Sequence, residues 1–409
     1  MQRTLLVCAI TALACTSAWA ATPRIVGGDD VTTAPSWMVS IQRVVDRPPA
    51  AINEHFCGGT LIAPEWVLTA AHCVETAELS RLNLVIGQAK IDGLTQGVQV
   101  DQLIVYPGWI PSWELSSGSG SRAISEFAGD LALLHLKQAQ SATPVTLATP
   151  SQLSSLGYYQ DIRAIGWGAT DRNGTVYPDQ LQGIALPYQG KDASSGLANH
   201  IFAGGEDGES ICFGDSGGAL YLSGAQDVQY GTDSFITSGN SAITCGDSGG
   251  VAGFTSVADY RDWIQQQLSG LSYTTIQRLS IIAGTTGQAN FLIRNNSAQE
   301  WTISGLTTDG GKLSDDCQSA ALQPGSSCNV TVSYTAGTIG SSRAINLSFN
   351  ASSADDAIAG QMRLITSAVG IPSSDIPDDS SGGGAFGQLG LLLLALLTGG
   401  RQLYRRTRR

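Results

Sequence analysis

Residues 212–222 read Cys212-Phe213-Gly214-Asp215-Ser216-Gly217-Gly218-Ala219-Leu220-Tyr221-Leu222. Glycines at 214, 217 and 218 let the backbone turn tightly and aim its N–H groups inward, since glycine enters left-handed conformations at little steric cost. A β-like run, Ala219 to Leu222, follows at once. A serine hydroxyl on such a turn is a weak nucleophile by itself. To attack a carbonyl it needs a histidine base, a buried acid to orient that base, and donors for the developing oxyanion.

Working outward, the chain offers a candidate for each. His72 stands in Leu68-Thr69-Ala70-Ala71-His72-Cys73, after the β-like run Gly59-Thr60-Leu61-Ile62. The other three histidines lack this setting. His55 adjoins a charged stretch expected at the surface, His135 falls inside a strand pattern, and His200 precedes Ile201-Phe202 in an expected loop. Asp130 leads the apolar run Leu131-Ala132-Leu133-Leu134 and is the candidate acid. The N–H groups of Gly214 and Ser216 would face the oxyanion.

Bulk properties set the frame. The chain has 409 residues, 42% hydrophobic and 14% charged, enough for more than one core. With 49 glycines and few long helical patterns, an all-β protein is expected. None of the acids and seven of the 22 basic residues lie outside residues 25–384, so that span sets 15 bases against 34 acids, a net charge of −19. Such a surface repels phosphate backbones and excludes nucleic-acid binding.

The two ends read as addresses. Arg3, an apolar run from Leu5 to Cys15 and Ala18-Trp19-Ala20 form a secretory signal peptide over residues 1–20, leaving 21–24 as a short pro-segment. At the other end, residues 371–384 form a polar, glycine-rich linker and Ala385–Gly400 an apolar helix. Residues 401–409 are a basic stop that would stay cytoplasmic. These sixteen residues, uncharged and interrupted by the amide Gln388, are short against the roughly 20 of a full span and are expected as a short transmembrane helix that anchors the chain transiently in the inner membrane. Six cysteines remain once Cys8 and Cys15 leave with the signal: Cys57, Cys73, Cys212, Cys245, Cys317 and Cys328. An even number in an exported chain reads as disulfides. The shortest separations favour Cys57 with Cys73 and Cys317 with Cys328, which leaves Cys212 with Cys245, although sequence alone does not fix the pairing. No C-x-x-C pair suggests a structural zinc site. The Gln88–Gln99 loop holds a single acid, Asp92, so no calcium site is expected there. No metal or other cofactor is expected.

These segments resemble the chymotrypsin (trypsin-like) serine protease family over residues 25–268. Ile25-Val26-Gly27-Gly28 matches the family's mature N-terminus. Ala70-Ala71-His72-Cys73, Asp130-Leu131-Ala132-Leu133-Leu134 and Gly214-Asp215-Ser216-Gly217-Gly218 match its triad segments, in its order. Gly166-Trp167-Gly168 and Tyr260-Arg261-Asp262-Trp263-Ile264 match further signatures. The resemblance implies two antiparallel β-barrels over residues 25–270, a serine endopeptidase acting on protein substrates, and a zymogen cut at Arg24-Ile25. The freed Ile25 ammonium would then pair with Asp215. A second copy of the serine motif, Gly246-Asp247-Ser248-Gly249-Gly250, follows Cys245. After Ser248 there is room for one strand before the closing helix, too few for a nucleophile turn, so Ser216 is preferred.

In that family the pocket floor lies six residues before the nucleophile, at Ser210, where trypsin-like enzymes carry an aspartate. Ile211 would narrow the pocket, and Ser234-Phe235-Ile236 resembles the elastase-like wall. Cleavage after small or medium apolar residues is expected, although Glu206, Asp207 and Glu209 lie nearby. Such a pocket would cut poorly after Arg24, which implies a separate, trypsin-like activating protease. Phe202 stands where the family has a cysteine, and Ser112–Phe127 is a long insertion expected to overhang the substrate groove. The tail resembles the bacterial GlyGly-CTERM sorting signal, which implies a rhomboid-type sorting protease, type II secretion and release or surface attachment.

After Leu268, β-like runs at Thr275–Ala283, Asn290–Ile293, Cys328–Tyr334, Ala344–Phe349 and Met362–Ala368 suggest an immunoglobulin-like sandwich over 271–370. It holds no catalytic constellation, and a spacer or secretion role is expected. The alternatives are a silent protease fold that only binds, or an adhesin working through residues 271–370. A silent fold would be marked by loss of the histidine, the acid or the serine, and all three are present.

Overall fold

The computed structural model describes residues 28–47, 50–115, 124–191, 197–204, 208–237, 245–246 and 250–371. The signal peptide, Arg24, Ile25, Glu206, Asp207, Ser248 and the whole C-terminal tail lie outside the described residues. Among the described residues no helix is long and apolar enough to cross a membrane.

After the short β1 (Asp29–Asp30), six strands build the first barrel. They are β2 (Met38–Arg47), β3 (Ala50–Ala63), β4 (Trp66–Thr69), β5 (Leu82–Ile86), β6 (Val100–Val105) and β7 (Ala132–Leu136). Their order is β5-β2-β3-β4-β7-β6. A bridge between Leu84 and Val98 draws the two edges together, which removes exposed sheet edges. Met38, Ile41, Leu61, Leu84, Leu103 and Leu134 fill the interior.

The second barrel uses β9 (Asp161–Gly166), β10 (Gln182–Gly190), β11 (His200–Ala203), β12 (Ala219–Leu222), β13 (Val228–Thr237) and β14 (Val251–Ser256). These close as a ring, because β9 pairs with both β10 and β12. β1 adds to β10, and β8 (Thr146–Leu147) runs parallel to β13. Three strands therefore follow Ser216 and one follows residue 250, which is the chain order used to prefer Ser216 over Ser248. His200 was expected in a loop. It instead opens β11 fully buried, facing Thr255 across the pair with β14. Of the helices, α1 (Ala71–Val74) carries His72 and α2 (Pro150–Ser154) begins on a Thr149 capping box. The last, α3 (Arg261–Ser269), is the closing helix.

Eight further strands form two four-stranded sheets. One contains β15 (Leu271–Tyr273), β17 (Thr286–Asn295), β19 (Lys312–Asp315) and β20 (Ser327–Thr335). The other contains β16 (Ile276–Ile282), β18 (Thr302–Thr308), β21 (Ser342–Ser352) and β22 (Ala357–Val369). Alternating inward residues such as Val330, Val332, Ile345, Leu347 and Phe349 make their common core. β18 and β19 escape a hydrophobic pattern search. Lys312-Leu313-Ser314-Asp315 is a polar edge strand, and β18 is interrupted at Gly305 by an irregular register. The disulfides pair Cys57 with Cys73, Cys212 with Cys245 and Cys317 with Cys328.

Candidate active site

The site lies where the two barrels meet, and hydrogen bonds join its parts. His72 Nδ1 is 2.7 Å from Asp130 Oδ2, and the His72 backbone N–H donates to Asp130 Oδ1 at 2.9 Å. A carboxylate only accepts, so Nδ1 carries the proton and Nε2 of the neutral ring is left as the basic nitrogen. Asp130 is fully buried, and Ser234 Oγ donates to its Oδ2 at 2.6 Å. Burial alone pushes this carboxyl up; the adjacent His72 ring and the hydrogen bonds from His72 and Ser234 outweigh it and hold the group below the usual carboxylate range.

The turn that carries Ser216 is fastened to the first barrel. Gly58 of β3 donates its N–H to Ser216 O at 2.7 Å, and Thr69 Oγ1 donates to Gly58 O at 2.8 Å. Cys57, beside Gly58, is bonded to Cys73, beside His72, so one disulfide locates both segments. Gly217 cannot carry a side chain. Its φ is +81°, and a Cβ there would fall 2.2 Å from Thr69 Oγ1 and 2.4 Å from Gly58 O. Gly217 also donates to Asp233 O at 2.8 Å, so β13 supports the turn from below.

Asp215 points the other way, into the protein. Its Oδ1 accepts from Gly168 N and its Oδ2 from Cys212 N, both at 2.8 Å. The Gly166-Trp167-Gly168 run follows from this. A Cβ at Gly166 would come within 2.0 Å of Asp215 Oδ1, and one at Gly168 within 2.3 Å of Oδ2. Burial pushes the Asp215 carboxyl up to about 7, with the two N–H bonds opposing.

The residues expected to form the pocket fall into four settings. Ser234 turns its hydroxyl to Asp130 rather than presenting it as wall. Ile211 packs into the second barrel's core with Ala252 and Phe254, while Ser210 Oγ bonds the Ile211 carbonyl at 2.8 Å. Ile236 lies against the Cys212–Cys245 bridge and Ala169. Phe235 joins Phe202, Leu197 and Phe127 in an apolar group, and Phe127 stands edge-on to the His72 ring at 6.4 Å.

Two residues of the site carry no sequence signal strong enough to find them. His55 is enclosed within β3 rather than exposed: its Nε2 donates to Gly214 O at 3.0 Å and its Nδ1 accepts from Ser40 Oγ at 2.8 Å. Burial pushes its pKa down to about 4, so the ring is neutral and props the Gly214 carbonyl. Asp233 is fully buried, and neither carboxylate oxygen has a partner among the described residues. Burial, and then the nearby Asp215 charge, push this carboxyl well above its ordinary range.

A family model described as Trypsin matches residues 25–264, more than half of the chain. The chain belongs to the trypsin family. Among relatives, chymotrypsin-like elastase family member 1 of cattle (Bos taurus) is 32% identical over 268 residues, covering 60% of this chain and 90% of that protein. The dog (Canis lupus familiaris) protein of the same name is 33% identical, covering 53% and 82%. Among solved structures, the VesB protease of Vibrio cholerae superposes with a TM-score of 0.56 at 22% identity, covering 84% of this chain and all of that one. The secreted serine protease VesC of the same organism gives 0.57 at 22% identity, covering 84% and 71%. This trypsin-family chain is a serine-type endopeptidase acting on protein substrates, and its fold is the family's double barrel extended by a β-sandwich.

Proposed function

We propose that this endopeptidase works through His72, Asp130 and Ser216. The observation that carries the reading is the doubly bonded His72–Asp130 pair, 2.7 Å from ring to carboxylate, beside the glycine turn of Ser216. Asp130 fixes the tautomer, Nε2 takes the Ser216 hydroxyl proton as oxygen attacks the scissile carbonyl, and the N–H groups of Gly214 and Ser216 receive the oxyanion. The imidazolium then protonates the leaving amine, and water repeats the sequence on the acyl-enzyme. A fluorophosphonate reagent tests this on Arg24-cleaved protein. Labelling at Ser216, abolished by His72→Ala, is expected. A cleaved, folded sample with no label at Ser216 would favour the silent binding protein or adhesin, and label at Ser248 would move the nucleophile there.

The chain is made as a zymogen. Asp215, with its pKa raised to about 7 by burial, is a site for the Ile25 ammonium released by cutting Arg24-Ile25. A buried carboxylate gains most from a cation when no water competes. Cleavage by substrate preference falls after small or medium apolar residues. Ile236 against the Cys212–Cys245 bridge and Ser210 in place of a floor acid support this, as does similarity to the elastases. Preference for Arg or Lys in a fluorogenic P1 panel would sink it. With that preference the protein matures through a separate trypsin-like protease, and self-maturation that accelerates with its own concentration would argue otherwise. The signal peptide and tail send the protein through export, type II secretion and cleavage by a rhomboid-type sorting protease. Mass spectrometry of both termini of secreted material tests this.

A further inference from the structure

The β-sandwich does not hang from the barrels on a free linker. Thr275 donates its N–H to Leu103 O, and its Oγ1 accepts from Val105 N at 2.8 Å; Gln102 of β6 reaches Leu292 O and accepts from Ser272 Oγ. Ile276 and Ile365 belong to the first barrel's own apolar core.

One part of this contact falls on the segments that flank His72. Glu75 follows α1, with its N–H on Ala71 O at 2.9 Å. Its buried carboxylate accepts from Trp109 Nε1 at 2.6 Å and from Ser112 N at 3.2 Å. From the sandwich, Arg278 Nε of β16 donates to Glu75 O at 3.2 Å, and its guanidinium lies 4.6 Å from the centre of the Trp113 ring. Trp113 Nε1 is buried without a partner among the described residues, so the cation on its face is the polar contact that indole has there. Ser280 donates N–H and Oγ to Glu78 Oε1, and Arg363 of β22 pairs with Glu114.

A continuous series of contacts results: Arg278, then Glu75 and Trp113, then Trp109, then Phe127 at 6.4 Å from Trp109, then the His72 ring at 6.4 Å from Phe127. Glu75 brings the Arg278 cation and the Trp109–Glu114 segment together. Removing the guanidinium takes a donor from the Glu75 carbonyl and a nearby positive charge from the Glu75 carboxylate, and unloads one face of Trp113. Both segments it touches lead to residues that bound the base, within three positions of His72 on one side and through Phe127 on the other.

We propose that Arg278 of the β-sandwich is a positioning residue for His72, which makes the second domain part of the protease's catalytic apparatus. The inference rests on the reading of His72 as the base. Steric error at a general base is costly, because catalysis needs reacting atoms held within a few tenths of an ångström of the productive arrangement. Arg278 touches neither substrate nor reacting atoms and acts only through Glu75 and the two tryptophans.

The experiment uses the cleaved full chain, with active sites counted by fluorophosphonate labelling before kinetics. Arg278→Met is expected to lower kcat/KM per labelled site by about tenfold, carried mostly by kcat, and Arg278→Lys to restore it to within about twofold, since an ammonium also serves Glu75 and the Trp113 face. Arg294→Met is the control. Arg294 faces Asp101 at 3.7 Å in the same interface but away from Glu75, so its loss is expected to leave kcat/KM within about twofold. Should Arg278→Met fail to fold, Trp113→Leu carries the same expectation. Unchanged kcat/KM in Arg278→Met or Trp113→Leu, no rescue by lysine, or an equal loss in Arg294→Met would each overturn the inference. Absence of label at Ser216 in the unmutated protein would instead overturn the active-site reading, and this inference with it.

Discussion

Ser234 Oγ lies 2.6 Å from Asp130 Oδ2, so a strand of the second barrel donates a hydrogen bond to the acid at the edge of the first. The residue belongs to β13, whose next member, Phe235, stacks on Phe127 at 4.9 Å. One strand therefore both bonds the Asp130 carboxylate and packs against Phe127.

Ser234→Ala is expected to lower kcat/KM by about tenfold with little change in stability, because a hydrogen bond to a charged acceptor is lost while His72 keeps its two bonds to Asp130. Asp130→Asn removes the tautomer control and is expected to cost about 10³–10⁴-fold in kcat. Steady-state kinetics on labelled sites checks both. Equal losses for the two variants would refute the assignment of Asp130 as the orienting acid.

Asp233 contributes a pH dependence of definite sign. Its carboxyl binds a proton more tightly in the folded chain than at its ordinary value of 3.8. Above that pH the folded chain holds more protons than the unfolded one, so stability falls as pH rises from about 4 toward the raised folded value. In the inactive Ser216→Ala background, Asp233→Asn should melt higher than its parent near pH 8, by roughly 2–4 °C per kcal/mol, with the gap closing near pH 4. A gap that does not change with pH would remove Asp233 as its cause.

Gly166→Ala should destabilise the fold and weaken the site together. The new methyl would sit on the Asp215 carboxylate, and overpacking of this kind costs about 1–3 kcal/mol. Thermal melting should show the loss, and fluorophosphonate labelling of Ser216 should slow by at least several-fold. Normal labelling with a lowered melting point would mean that Asp215 does not govern the nucleophile turn.

The disulfides should separate stability from catalysis. Replacing Cys317 and Cys328 with serine removes a cross-link remote from His72, and is expected to cost about 2–4 kcal/mol while leaving kcat per labelled site unchanged. Replacing Cys57 and Cys73 unties the strand that holds Ser216 O from the helix that holds His72, and kcat should fall as well. Melting curves read beside active-site-counted kinetics distinguish the two.

The sequence by itself determined the family, the all-β class, the three segments proposed to carry the chemistry and the set of six cysteines. Each is a property of a short covalent run: a glycine turn around Ser216, an apolar strand behind Asp130, a cysteine beside His72. Tertiary structure alone decided the rest, because it depends on which distant strands pair. The register of β13 sends the Ser234 hydroxyl to Asp130 and leaves the Asp233 carboxylate buried behind the turn. The close approach of Asp215 explains glycines that otherwise read only as a motif. His55, next to Glu54 in sequence, is folded under Gly214. The contact of Arg278 with Glu75 spans 203 positions of the chain and follows from docking one β-domain on another, a packing event that no local pattern of residues encodes.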